Sequence, residues 1–188
     1  MCGAVIDGQL AMRPERGVAP TAPASRAKAV RALYTPEQRK RRDATRWTLV
    51  QGVLAPIQFL VFAVSVVLVT RSLVTGQGVM AAHVSIIAKT FLLYTIMITG
   101  AIWEKVVFGQ YLFAEAFFWE DVVSFVVIAL HTVYLGGLLT GRIPTTALFV
   151  IALAAYAVYV VNAVQFILKL RAARLQDARE TALRAARA

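Results

Sequence analysis

Residues 102–124 read IWEKVVFGQYLFAEAFFWEDVVS. The stretch opens and closes on apolar runs, yet it holds Glu104, Lys105, Glu115, Glu120 and Asp121. It also nearly repeats itself: Trp103-Glu104-Lys105-Val106-Val107 returns as Trp119-Glu120-Asp121-Val122-Val123. On either side the chain stays apolar for about 20 residues, the length that crosses a hydrocarbon layer. Four such runs are expected as membrane spans, at about 47–70, 80–103, 118–140 and 145–168. RSLVTGQGV turns the chain between the first two and GRIP between the last two, so the quoted stretch is the polar joint between the second and third. The fold class this predicts is an all-α integral membrane protein, a four-transmembrane-helix bundle.

Composition supports that reading. Apolar residues make up 59% of 188 and the mean hydropathy is +0.67, more than a soluble domain of this size can bury. The net charge is +10, but ten of the twenty basic residues precede Trp47 and six lie at or beyond Lys169. The remaining four (Arg71, Lys89, Lys105, Arg142) are matched by four acids between the same limits. A neutral middle with basic ends is not the basic groove of a nucleic-acid binder, and no nucleic-acid partner is expected. The one cysteine, Cys2, allows no internal disulfide and no cysteine metal cluster. Residues 1–32, rich in Ala, Pro and Arg without an apolar core segment, read as a disordered tail rather than a signal, with Met12 as a second candidate start. Residues 33–46 read as a basic interfacial segment whose helix starts at Thr35-Pro36, and 169–188 as a basic helical tail.

Basic residues near the span ends set the orientation. Arg39, Lys40, Arg41, Arg42 and Arg46 precede the first span, and Lys169, Arg171 and Arg174 follow the last, while each short opposite loop carries one arginine. The positive-inside rule then places both termini, and the joint at 102–124, on the cytoplasmic face of a multi-pass inner-membrane protein. The basic ends are suited to anionic lipid or to a neighbouring enzyme.

Polar groups in hydrocarbon need partners or a purpose. The spans hold Gln51 and Gln58, His83, Lys89 and Glu104, Glu120, Asp121, Ser124 and His131, then Asn162 and Gln165. Gln and Asn serve as interhelical glue, Glu120 and Asp121 suit a helix start, and Trp103 and Trp119 suit an interfacial belt. Neighbours on a helix point about 100° apart, so one of Glu120 and Asp121 is expected to face inward. Glu104 lies at the C-terminal end of its span, where the helix dipole disfavours negative charge, and a carboxyl that keeps its proton is a general acid. Lys89 lies well inside its span, a functional-site position by default. No CxxC, HExxH, P-loop or dinucleotide fingerprint is present, and no helix carries two histidines spaced for bis-haem ligation. The pattern points to acid–base chemistry on an apolar substrate drawn from the membrane.

LYTPEQRKRRDATRWTLVQGVLAPIQFLVF (33–62), IMITGAIWEKVVFGQYLFAEAFFWEDV (96–122) and AAYAVYVVNAVQFILKLRAARL (154–175) resemble the 3-vinyl bacteriochlorophyllide hydratases, small membrane enzymes of bacteriochlorophyll biosynthesis. The resemblance runs from about Leu33 to Leu175. It implies a magnesium chlorin substrate, no cofactor beyond the magnesium that the substrate carries, and water addition across the C3 vinyl group to give a 1-hydroxyethyl product. That chemistry needs an acid, a base for water and a dry aromatic pocket. Glu104 is the expected acid, with Glu120 or Asp121 orienting or activating water. His131 or His83 is an axial ligand candidate for the substrate's magnesium. Lys89, Gln58, Asn162, Trp103 and Trp119 are expected substrate contacts, with Phe117, Phe118, Tyr111 and Tyr94 as further aromatic surface. Arg39 or Arg42 is placed to meet the propionate. The competing class is a non-catalytic membrane pigment carrier or assembly factor. A proton-coupled transporter would call for repeat-related halves, and the internal symmetry is confined to the WE(K/D)VV pair.

Overall fold

The computed structural model describes residues 33–186, and the tail expected over 1–32, with Cys2 and Met12, lies outside them. The described residues form α1 (Pro36–Ala44), α2 (Arg46–Thr75), α3 (Val79–Phe108), α4 (Phe118–Thr140) and α5 (Thr145–Ala185). α2 to α5 are each long and apolar enough to cross a membrane.

α1 starts where Thr35 and Pro36 predict. Thr35 Oγ1 accepts from Gln38 N at 3.2 Å, Gln38 Oε1 accepts from Thr35 N at 2.9 Å, and Pro36 needs no partner at the first helical position. α2 outruns the expected span to Thr75, because Arg71-Ser72-Leu73-Val74-Thr75 keeps helical geometry until Gly76 turns left-handed at φ +69°. α2 also passes through Pro56, whose missing N–H frees the Gly52 carbonyl. α3 runs a turn beyond Trp103 and stops at Gly109, φ +90°. α5 continues unbroken through Lys169; its 41 residues measure about 60 Å, so it is about twice as long as a hydrocarbon layer is thick.

Packing is inverted relative to a soluble bundle. Leu60 and Val67 stand 64% and 65% exposed on the outer face of α2, while Gln58 and Ser65 of the same helix are buried. Apolar side chains facing lipid lose nothing by exposure, and the polar ones gain by meeting inside. Gln51 bonds Thr99 and Ser65 bonds Ser85, pairs that advance in opposite directions along antiparallel α2 and α3. α2 with α3 and α4 with α5 form two closely packed hairpins, and the contact between the hairpins is slimmer. Beneath the 76–78 and 141–144 turns the seam is filled by Val69, Ala82, Ile86, Tyr134, Leu148, Phe149, Ala152 and Tyr156. At the other end Tyr34, Val107, Phe117 and Ala173 form a second core.

α1 is fastened over this second end by α5. Arg39 makes two bonds to Glu180, at 2.5 and 2.6 Å, and approaches Asp177 at 2.9 Å; Arg42 also reaches Asp177, at 3.3 Å. Gln176 accepts from Leu33 N at 2.9 Å and donates to Tyr34 O at 3.1 Å. Both ends of the described chain therefore lie on one side of the bundle.

Candidate functional site

The joint between α3 and α4 folds back on the seam through its carboxyls. Phe113 adopts φ +59°, a left-handed conformation that costs an ordinary residue about 1–2 kcal/mol. That turn aims two successive N–H groups inward: Phe113 N donates to Asp121 Oδ2 at 2.6 Å and Ala114 N to Glu104 Oε2 at 3.2 Å. The Glu104 and Asp121 carboxyls also face each other within hydrogen-bonding reach, and such a bond needs one proton between the two. Both are buried, at 5% and 4% exposure.

Glu120 is buried too, so the expectation that only one of the adjacent pair turns inward does not hold. The 100° between them is used differently: Asp121 turns to α3 and Glu104, while Glu120 turns to α5, where Lys169 Nζ lies 3.6 Å from its Oε2. Lys169 also donates to Ala116 O and lies 5.5 Å from the centre of the Phe117 ring. Three buried carboxyls and the half-buried Lys169 ammonium thus share one layer. Phe117 roofs it, packed against Trp103 at 5.5 Å, Phe108 at 5.8 Å and Tyr34 at 6.4 Å. Burial pushes the Tyr34 phenol up to about 12, against the opposing pull of Arg42, whose guanidinium stands 4.8 Å from its ring centre.

Deeper in the seam the polar residues continue. Asn162 Nδ2 donates to Ser124 Oγ at 2.9 Å, leaving Asn162 Oδ1 and Gln165 Oε1 buried without a hydrogen-bond partner. Gln58 is 2% exposed with neither amide atom partnered. Lys89 is fully buried, its Nζ 3.6 Å from the Tyr159 ring centre, 5.4 Å from Phe62 and 5.7 Å from Tyr156. His131 is also fully buried, its ring 5.9 Å from that of Tyr156. Its Nδ1 lies 2.8 Å from Val127 O, a carbonyl that only accepts. The proton therefore sits on Nδ1, and Nε2 presents a lone pair with no partner. Among the described residues no group of three His, Cys, Asp or Glu is arranged to chelate a metal ion.

Of the residues singled out in the sequence, Glu104, Glu120 and Asp121 meet in one layer, and Gln58, Lys89, His131 and Asn162 line the seam beyond it. His83 lies apart, its Nδ1 2.5 Å from the Tyr134 hydroxyl and its ring 4.9 Å from Phe149. Trp103 turns inward and donates to Thr48 Oγ1 at 2.9 Å, whereas Trp119 is 68% exposed. The WE(K/D)VV pair is thus not a structural repeat. Phe117 is inside, Phe118 and Tyr111 are outside, and Tyr94 bonds Thr132 on the flank. Sequence reasoning did not single out Lys169, Ser124, Tyr156 or Tyr159 as site residues. Lys169 was discoverable, since it continues the Asn162–Gln165 face at the next helical step.

A family model described as 2-vinyl bacteriochlorophyllide hydratase matches residues 34–172. The chain is 69% identical to the 2-vinyl bacteriochlorophyllide hydratase of Rhodobacter capsulatus over 152 residues, covering 81% of this chain and 88% of that protein. It is 70% identical to the one from Cereibacter sphaeroides over 153 residues, covering 81% and 95%. No solved structure matches the chain at a significant level. The matched region holds every residue of the carboxyl layer and of the seam behind it, and on that footing the chain belongs to the 2-vinyl bacteriochlorophyllide hydratase family.

Proposed function

We infer that this protein adds water to the vinyl group of a bacteriochlorophyll precursor, a magnesium chlorin, giving the 1-hydroxyethyl product. The observation that carries the reading is the family match over residues 34–172. The relatives' names number the vinyl-bearing carbon 2; systematic ring numbering makes the same carbon 3.

Hydration in this direction puts a proton on the terminal carbon and hydroxide on the inner one. The positive charge that develops on the inner carbon spreads into the macrocycle. Glu104 supplies the proton: its buried carboxyl lies beside that of Asp121, where two charges are disfavoured, in a layer roofed by aromatic rings. Glu120, held beside Lys169, takes the proton from the attacking water. Asp121 orients Glu104, and the cycle closes when the proton on Glu120 is released and Glu104 takes one up for the next turnover. The product has gained one water and no electrons, so the chemistry calls for no redox cofactor, and the magnesium belongs to the substrate. His131 is assigned as the axial ligand to that magnesium, since it is fully buried in the seam with Nε2 unpartnered, while His83 lies apart against Tyr134 and Phe149.

In this reading the layer lies at the cytoplasmic face of the inner membrane, with both termini in the cytoplasm, in contact with anionic lipid and with other enzymes of the pigment pathway; the basic residues flanking the first and last spans support it. The test is expression in a pigment-free host, followed by vinyl substrate in heavy-oxygen water. A hydroxylated product carrying the label is expected. Pigment that binds and stays unchanged would make the protein a carrier.

A further inference from the structure

The least explained group in the molecule is the Lys89 ammonium. It is fully buried in the middle of α3 with no hydrogen-bond partner. Four other basic groups near the site are committed. Arg39 and Arg42 pair with Asp177 and Glu180, Lys169 pairs with Glu120 and Ala116 O, and Lys105 donates to Gly109 O at 2.8 Å. This bears directly on the expectation that Arg39 or Arg42 meets the substrate's propionate: their guanidiniums are already engaged in fastening α1 to α5.

A cation in hydrocarbon is expensive unless something offsets it. The Phe62, Tyr156 and Tyr159 rings form a cage that offsets part of the cost. Rings satisfy a charge from their faces but leave its N–H donors unused. Across the same seam Gln58 has an unpartnered amide nitrogen as well as an unpartnered amide oxygen. Gln58 precedes Phe62 of that cage by one helical turn on α2, so a charged and a neutral N–H donor, both buried, are offered from one face to an anion with two oxygens. The position fits the reaction. Lys89 lies over Tyr159, which packs with Leu93 and Val127. Val127 is six residues past Asp121, about 9 Å deeper along α4. His131, assigned above to the magnesium, packs on the Tyr156 ring that also flanks Lys89.

We propose that Lys89, with the Gln58 amide, binds the free carboxylate of the substrate's propionate arm inside the membrane, anchoring the macrocycle so that its vinyl group lies at the carboxyl layer. The proposal rests on the hydratase reading and deepens it by naming the residues that recognise the carboxylate of the chlorophyllide.

The experiment compares binding of the vinyl pigment as free acid and as methyl ester, by absorbance titration of purified protein in lipid nanodiscs. The wild type is expected to bind the acid at least tenfold tighter, and K89M and K89Q to bind the two forms equally. Equal affinities in the wild type, or a tenfold preference kept by either Lys89 variant, overturn the proposal. If neither variant accumulates, R39Q/R42Q decides: a preserved preference supports the buried site, and its loss moves the carboxylate to the interface and overturns it. Label incorporation from heavy-oxygen water is read in parallel. A wild type that hydrates acid and ester alike keeps the hydratase function and loses only the anchor.

Discussion

Replacing Glu104 with Gln is the sharpest test of the acid–base layer, because the local structure separates its chemical from its structural consequences. Glu104 accepts from Ala114 N and faces the Asp121 carboxyl. The Gln amide keeps both contacts: its oxygen accepts from Ala114 N and its NH₂ donates to Asp121. The fold therefore changes by less than about 1 kcal/mol, one ordinary hydrogen bond. Glu104→Ala instead strands the Ala114 N–H, in a residue only 2% exposed, at about 1–3 kcal/mol. The two variants thus divide stability from catalysis. E104Q loses the proton donor and is expected to lose about 10²- to 10⁴-fold in turnover, the usual worth of a positioned acid. The assay is the rate of hydroxyethyl formation at matched pigment occupancy, alongside thermal unfolding in the same lipid. Turnover within tenfold of wild type at equal occupancy would refute the assignment, since nothing else about the site has been removed.

Other expectations follow from the same geometry. Gln58→Leu removes two buried amide atoms that have no partner; the pigment-free protein should gain about 1 kcal/mol or stay unchanged, while pigment affinity falls tenfold or more in a binding titration. Arg39→Leu breaks the bonds to Glu180 and Asp177, a partly exposed cluster worth about 1 kcal/mol; it should raise hydrogen exchange across 36–44 while α2 to α5 stay protected. Tyr34 contributes stability that is lost on going alkaline. Its phenol ionises near 10 when unfolded and at about 12 when folded, so between those values the unfolded chain binds fewer protons and folding weakens. The loss approaches roughly 2–3 kcal/mol at pH 12, and Tyr34→Phe should flatten the difference; an unaltered slope above pH 10 would show that this phenol is not shielded.

The number and placement of the spans were legible because bilayer thickness fixes their length and because Gly76, Gly109 and Gly141 end helices in a conformation that glycine adopts readily. The start of α1 was legible because its cap is local, Thr35 to Gln38. Glu104 was singled out as being at the unfavourable end of its helix, and its compensation comes from Ala114 N and Asp121, one of which lies in an irregular turn. That turn depends on a left-handed Phe113, which no propensity would have offered. Pairings between residues about 140 apart, such as Arg39 with Glu180, were equally out of reach. The two were visible only as charges near opposite termini. Burial was the other blind spot: periodicity gave Trp103 and Trp119 the same interfacial role, and tertiary packing put one inside and the other outside.

The slim seam between the two hairpins has a consequence for how the site comes into being. Each hairpin satisfies its own backbone and can enter the membrane as a finished unit, in the order it is synthesised. The polar seam belongs to neither: α2 and α3 contribute Gln58, Lys89 and Glu104, and α4 and α5 contribute Asp121, His131 and Asn162. The seam is thus a product of docking rather than of insertion. A broad, rigid pigment can be admitted by parting two preformed halves, and no helix has to unwind to let it in.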